Sequence, residues 1–530
     1  MSVDKGLEEN MKKRILCLVL AVFMLAGCLV ACNDTGGGEV DGGDKNGDWA
    51  NLDFKDARLN VTVSKNQDDE VSFRPGNIYT KGPDSADTAE AVPKKVLARN
   101  KKVAEDLNIN LVYETVDLAY HEIMPYLELL MVQGVGEESP DVFHNDIYGM
   151  LQAMLNGYLW NVSDPGKDIK SYFDFDHACW YKEYMEGATF NKDKMYLLAG
   201  DYNLDIIRYA WVIFVNTWLW DSTFADSDYG KYEQMCEHVD LTGDWFYDDI
   251  VLLSGMAHND EGGDVSEKAD KNDAQIGLVA DGNIDRCFTY GSGLTMLEWT
   301  KNSKACAPGE GTPSFIGQDD IGEIVTVGNW VVDVFNATGV LTFISADNSR
   351  TAHLDLFMDG KAVMGVMKLG EMESERMRSV KFKRGILPFP RYDLYKTKNF
   401  TTVVHDQAEV DSILITASSF ATASAFLQYV NEESEDVLDT YYEDVLKFKY
   451  NDSRGARKMI DIVRETTASP LDTVVLNRLF GQATNNVIYD YFLEDAKVDR
   501  DCTFSSTYAG IRDSLQTTLE SMLADFNKRP

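Results

Sequence analysis

Few residues of this 530-residue chain are arranged for bond-making chemistry. The 7 histidines fall in no H-E-x-x-H or other metal-ligand spacing. No G-x-S-x-G elbow, Walker A loop or dinucleotide fingerprint follows a strand-like run. The 8 cysteines form no C-x-x-C pair and no zinc-type cluster with histidine. Asp and Glu together number 87, so some pair would meet glycosidase spacing by chance and no catalytic pair is assigned. What remains is binding chemistry without a cofactor or a metal. The 9 Trp and 25 Tyr can supply flat apolar plates, and planar polar side chains can hold paired hydroxyls.

Candidates for that role are those placed where strands end, because open α/β sheets bind ligands at the carboxyl ends of their strands. Asn145 and Asp146 follow a short strand-like run at 140–144, and a helix N-cap is the competing role. Asp201 and Tyr202 follow Leu198-Ala199-Gly200, where a plain turn competes. Tyr290, Trp299 and Trp330 flank Gly291-Ser292-Gly293 as plates or as core. Glu371 follows the strand-like run ending near Met367. His405 and Asp406 are weaker candidates in a loop.

The elements that must position these residues alternate. ARLNVTVS (57–64) reads as a strand, 90–107 as a helix with a basic outer face (Lys94, Lys95, Arg99, Lys101, Lys102), and 108–116 as a second strand. Helices follow at 118–132 and 147–156, the latter ending at Gly157. Strands are predicted at 194–198 and at 206–216, the second long enough to run between two bodies. A helix opens at Gly243-Asp244-Trp245 with Asp244 as cap, and others are expected at 291–297, 322–338, 420–432, 455–466 and 511–527. Such βα alternation argues an α/β fold with mostly parallel sheets, and this length argues two bodies.

Ahead of all this, Lys12, Lys13 and Arg14 precede an apolar run from Ile15 to Ala26 that closes on Gly27-Cys28. A basic flank, a short apolar core and small residues at a cut form an export signal, too short to span a bilayer. Cys28 is placed like the lipidated first residue of a bacterial lipoprotein, and Cys32 closes a second, poorer copy. NDTGGGEVDGGDKN (33–46) then reads as a flexible acidic tether. The net charge of −37 repels nucleic acid and anionic lipid headgroups.

Further blocks, read in order, carry a resemblance. They are Asn156-Gly157-Tyr158-Leu159-Trp160-Asn161-Val162-Ser163-Asp164; Val215-Asn216; Thr242-Gly243-Asp244-Trp245 through Asp249; Phe357-Met358-Asp359-Gly360-Lys361-Ala362-Val363-Met364; Leu387-Pro388-Phe389-Pro390; and Ala417-Ser418-Ser419 with the run Ala421 to Val430. With the Cys28 leader, their order and spacing resemble family 1 extracellular solute-binding proteins, the maltose-binding-protein-like lipoprotein receptors of carbohydrate ABC importers. The resemblance implies a two-lobed periplasmic-binding-protein-like fold with a hinge and an interlobe cleft. It implies a signal peptide at 1–28, a tether at 29–50, lobe one at 51–209 with 388–445, and lobe two at 210–387 with 446–530. It implies a non-enzymatic receptor on the outer face of the cytoplasmic membrane, held by a lipid at Cys28, with a carbohydrate ligand and ABC permease subunits as partners.

The alternative reading is a secreted carbohydrate-active enzyme or glycan-binding surface protein. A signalling receptor sharing the same cleft is a third. Relatives carry a calcium-like run near 259–273; here the regular Asp/Asn spacing is broken and no Glu closes the frame, so a solvated acidic loop is expected.

Overall fold

A computed structural model of the chain describes residues 49–64, 77–85, 90–118, 121–260, 269–281, 284–317, 320–343, 352–392, 399–447, 454–476, 478 and 504–528. The Cys28 leader, nearly all of the tether and the centre of the 259–273 loop lie outside these residues. Among them no helix is long and apolar enough to cross a membrane.

The strands are β1 Ala57–Ser64, β2 Ile109–Val116, β3 Val142–Asp146, β4 Trp211–Asn216, β5 Ile276–Asp281, β6 Leu297–Lys301, β7 Lys304–Ala305, β8 Thr312–Phe315, β9 Val340–Phe343, β10 Ala362–Lys368, β11 Arg384–Leu387 and β12 Glu409–Ile413. They form two principal sheets and a small three-stranded sheet, in the orders β12-β3-β1-β2, β11-β4-β10-β5-β9 and β7-β6-β8. In the first sheet β1 runs parallel to β2 and β3, and β12 returns antiparallel to β3. In the second, β5 is parallel to β9 and β10, while β4 is antiparallel to β10 and β11.

Local chemistry explains these elements. Leu59, Val61 and Val63 of β1 bury together with Val142 and Phe143 of β3. Every residue of β4, WVIFVN, is buried, as expected of a strand covered on both faces. The helix Ile147–Asn156 starts where the Asp146 carboxylate accepts the Gly149 N–H at 2.7 Å. It stops at Gly157, whose φ of 74° is cheap only without a β-carbon.

Several expectations are corrected. Residues 206–216 are not one strand: Asp205–Arg208 make a helical turn first, held by an Arg208–Asp205 ion pair of 2.6 Å, and β4 begins at Trp211. Residues 194–198 are not a strand either; only Leu198 bridges, to Asp411. Gly243, at φ 68°, ends the helix Tyr232–Thr242 instead of opening the next. That next helix is Tyr247–Ala257, and the Asp249 carboxylate rather than Asp244 caps it, accepting the Phe246 N–H at 2.7 Å. The helix expected at 291–297 lies upstream at Ile284–Gly291, because Gly293 turns at φ 76° ahead of β6.

Arg99 does not lie on a basic outer face. Its side chain is buried and donates to the Tyr202 and Thr80 carbonyls and to the Ser434 hydroxyl. The helix Phe504–Asn527 docks on the small β7-β6-β8 sheet. Gln516 accepts the Phe315 N–H at 2.9 Å, and the Tyr508 hydroxyl donates to the Ile316 carbonyl at 2.8 Å. The far end of this helix reaches back, placing Phe526 against Tyr196 and Phe190 at ring distances of 5.7 and 6.4 Å.

Candidate ligand-binding site

The two principal sheets meet where their strands end or begin. The segment 209–211, leading into β4, lies between 403–405 and the end of β10. The Trp211 N–H donates to Val403 O at 2.9 Å, His405 N–H to Tyr209 O at 3.0 Å, and Leu369 N–H to Ala210 O at 2.8 Å. Lys368, last in β10, pairs in register with Trp211. On the first-sheet side, β12 starts at Glu409 opposite Asp146, the end of β3. Parallel strand ends from both bodies thus converge on one crossing, the usual place for a ligand in an open sheet.

The side chains at this crossing alternate rings and polar groups. The rings of Trp211 and Tyr209 lie 5.8 and 6.1 Å from that of His405, and the Lys368 ammonium sits 5.3 Å from the Tyr209 ring centre. His405 Nδ1 lies 3.1 Å from Asp406 Oδ1, with both side chains half-buried. Nearby, Arg478 lies over the Tyr148 ring at 4.5 Å and donates from Nε to the Tyr148 carbonyl at 2.9 Å. Tyr209 and Trp211 are themselves core rings, 1% and 5% exposed, so the groups a ligand can meet here are the half-buried His405, Asp406 and Lys368, which suit the hydroxyl edges of a polar ligand.

Beneath this floor runs a buried ionic lattice. His144 on β3 contacts Glu409 at 2.6 Å and Asp411 at 2.9 Å, both on β12. Arg208 contacts Asp205, and through Nε it reaches Glu373 at 2.8 Å, in the turn after β10. The Tyr441 hydroxyl donates to the same Glu373 oxygen at 2.7 Å, and Asp205 accepts the Glu409 N–H at 3.2 Å. Burial disfavours charge on His144, but the Glu409 and Asp411 carboxylates outweigh it and hold the imidazolium well above its ordinary pKa. Burial pushes the Glu409 carboxyl up to about 7 despite His144. The same cause lifts Asp146 to about 7.

The candidates named from sequence fall in several places. Asp146 is at the converging ends and acts as the helix cap described above. Asn145 is buried beside it, and its Oδ1 accepts the Asp146 N–H at 2.8 Å. Glu371 is buried in the turn directly after β10. Asp201 is buried and accepts two bonds from Arg464, at 3.1 and 3.0 Å; burial pushes its carboxyl up to about 6 against that pull. Tyr202 has no exposed surface, and its hydroxyl meets that of Tyr113 at 2.7 Å. Tyr290 and Trp299 are buried in the core. Trp330 is half-buried, with its ring 4.3 Å from Tyr247 and its Nε1 donating to Asp248 at 3.0 Å. Asp146, Asn145 and Glu371 sit at the converging ends, as do the weaker candidates His405 and Asp406, while Tyr202 and Trp299 would need repacking to meet a ligand.

Tyr209, Trp211, Lys368, Tyr148 and Arg478 were not singled out from sequence. The signal for the first two was a pair of aromatics two apart at the mouth of an apolar run, which periodicity reads as core.

No family model matches the sequence, and no curated protein matches it. In three dimensions the chain is similar to UspC of M. tuberculosis, at 12% identity over 87% of this chain and 100% of that one, with a TM-score of 0.51. It is also similar to a cyclo/maltodextrin-binding protein complexed with maltotetraose, at 10% identity over 89% and 96% and a TM-score of 0.49. A third is the maltose/maltodextrin-binding domain MalE from Bdellovibrio bacteriovorus bound to maltotriose, at 12% identity over 88% and 100% and a TM-score of 0.47. At such identities the likeness is one of fold, and that fold is the two-lobed α/β architecture of periplasmic binding proteins.

Proposed function

We propose that this two-lobed chain is an extracytoplasmic solute-binding lipoprotein that captures a sugar or oligosaccharide and delivers it to ABC permease subunits, making and breaking no bond itself. The observation that carries the reading is the crossing, where strand ends of both sheets meet and leave His405, Asp406 and Lys368 half-buried over the core rings of Tyr209 and Trp211. Lobe one comprises 51–209 with 388–445 and lobe two 210–387 with 446–530, so the chain passes between them several times. Cys28 carries the lipid, residues 29–50 form the tether, and the folded part works on the outer face of the cytoplasmic membrane. Binding favours the closed arrangement by the contacts a ligand makes to both lobes at once.

The test is a thermal-shift screen over mono- and oligosaccharides, followed by small-angle scattering. A cognate sugar raises the melting temperature and shrinks the radius of gyration. His405→Ala, a change at a half-buried ring, weakens that sugar about tenfold or more while leaving the unliganded melting temperature nearly unchanged. A broad panel that moves neither quantity overturns the reading. So does cleavage of a glycan by the pure protein.

A further inference from the structure

The register of β12 on β3 sets Glu409 directly opposite Asp146, and Asp411 opposite His144. Side chains so paired share one face of a sheet, with β-carbons about 4.5–5.5 Å apart, and like charges at such positions repel. Here the repulsion is little screened. Glu409 is 1% exposed, and His144 and Asp411 beside it have no exposed surface, while Asp146 is half-buried at the edge of the crossing. Two carboxyls held in this way do not both ionise without cost.

Every element around the pair brings charge to it. His144 of β3 reaches Glu409 at 2.6 Å and Asp411 at 2.9 Å. The turn Asp205–Arg208 faces Glu409 with both its end residues, Asp205 accepting the Glu409 N–H. Asp406, paired with His405, and Arg478 face Asp146, and the buried Tyr184 faces Asp205 and Asp406. Arg99 faces Asp411 but donates its hydrogen bonds to the Tyr202 and Thr80 carbonyls and to Ser434. In the sealed part, Asp205, Glu373, Glu409 and Asp411 are therefore held by His144 and Arg208, and a carboxyl proton brings those charges toward balance. The lattice also joins the two bodies. Glu409 and His144 belong to the first sheet, Arg208 spans the gap, and Glu373 lies in the turn Leu369–Glu373 directly after β10 of the second.

We propose that this lattice is a proton-operated hinge lock: with a proton held between Glu409 and Asp146 the two bodies stay docked through Arg208 and Glu373, and loss of that proton frees them to swing apart. Burial lifts both carboxyls to about 7 in the docked arrangement. Once the bodies part, water reaches the pair and its carboxyls return to ordinary values near 4. The docked state thus binds the proton that the parted state releases. Its advantage is full below about pH 4 and is lost as pH rises through about 7, by up to tenfold per pH unit. A ligand that binds the docked arrangement takes up the proton with it, so capture and pH are linked at the crossing floor. The proposal does not depend on what the crossing binds.

Small-angle scattering of the full, unliganded chain at about pH 5.5 and about pH 8 tests it, since the ratio of docked to parted molecules falls about thirtyfold between them for one proton. The parent has the larger radius of gyration at the higher pH. Glu409→Gln keeps the side chain neutral and able to hydrogen-bond, and its radius is the same at both. Asp461→Asn, which removes an acid from an exposed helix face, keeps the parent's step, separating the lock from general repulsion in an acidic chain. Infrared spectroscopy at about pH 6 gives the second readout: the parent shows a protonated-carboxyl band that loses intensity in Glu409→Gln. Should that variant not fold, Asp146→Asn replaces it; Asn caps a helix as well as Asp and takes one acid from the pair, so the step moves to lower pH. Equal radii in the parent, a step that Glu409→Gln retains or Asp146→Asn leaves in place, or an unchanged carboxyl band would each overturn the proposal.

Discussion

Trp299 shows what a single side chain decides. On β6, opposite Pro313 of β8, it is 4% exposed, and a ring that deep is core. Trp299→Ala is expected to cost about 3–5 kcal/mol, the usual range for emptying a buried aromatic site. Denaturant unfolding measures this; a variant that kept its stability and lost sugar affinity would show the ring to be a plate. Asp146 was legible as cap or ligand, since both roles sit at a strand's end, and the 2.7 Å bond from Gly149 fixes the first. Arg99 was misplaced for an instructive reason. It falls on the same helical stripe as the buried Val92, Val96 and Val103, so spacing pointed inward while charge pointed outward. Spacing prevailed because Thr80, Tyr202 and Ser434 supply acceptors for the guanidinium.

At the scale of elements, the turn Asp205–Arg208 matters most. Arg208 joins Asp205, whose other oxygen accepts the Glu409 N–H of β12, to Glu373 beyond β10. Arg208→Met removes the cation that these two carboxylates share among the described residues and leaves them buried. The expected loss is about 3–5 kcal/mol, seen as a lower denaturation midpoint with the unfolding slope retained. An unchanged midpoint would mean that water or another group takes over the pairing. Sequence periodicity merged this turn with β4 because Ile206 and Ile207 extend the apolar run, and an i,i+3 ion pair leaves no trace in a hydropathy pattern. The helices at 147–156 and 420–432 were legible to the residue. Their caps, Asp146 with Gly157 and Ser419, are local chemistry. The β7-β6-β8 sheet was not legible, since the end of β8 is held by the distant helix Phe504–Asn527. His405 and Asp406 were named from sequence, but their meeting with Tyr209 was not legible for a related reason: Tyr209 and His405 are far apart in sequence and come together through backbone pairing between separate segments.

Across the whole molecule, buried acids set the response to pH. Burial holds Asp146 and Glu409 at about 7, and Asp201 and Asp472 at about 6, all above ordinary carboxylate values. These groups keep protons in the folded state that the unfolded chain has released, so their contribution is full below about pH 4 and is lost as pH rises through about 6 to 7. His144, raised among its carboxylates, carries the same sign, and a net charge of −37 adds self-repulsion on the alkaline side. Scanning calorimetry is expected to give a higher melting temperature near pH 5.5 than near pH 8, with Asp146→Asn flattening part of the slope; a melting temperature that climbs toward pH 8 would contradict this assignment. The alternating βα order made the two-body α/β class legible at the outset, since that order follows from local periodicity.

The helix Phe504–Asn527 spans from the β7-β6-β8 sheet to Phe190 and Tyr196, and Lys194 Nζ donates to the Asn527 carbonyl at 3.3 Å. It is one of several ties that reach back to the segment around 190–201, beside the Arg464–Asp201 pair. Any gaping that draws the small sheet away from that segment would have to begin by prising Phe526 from its seat.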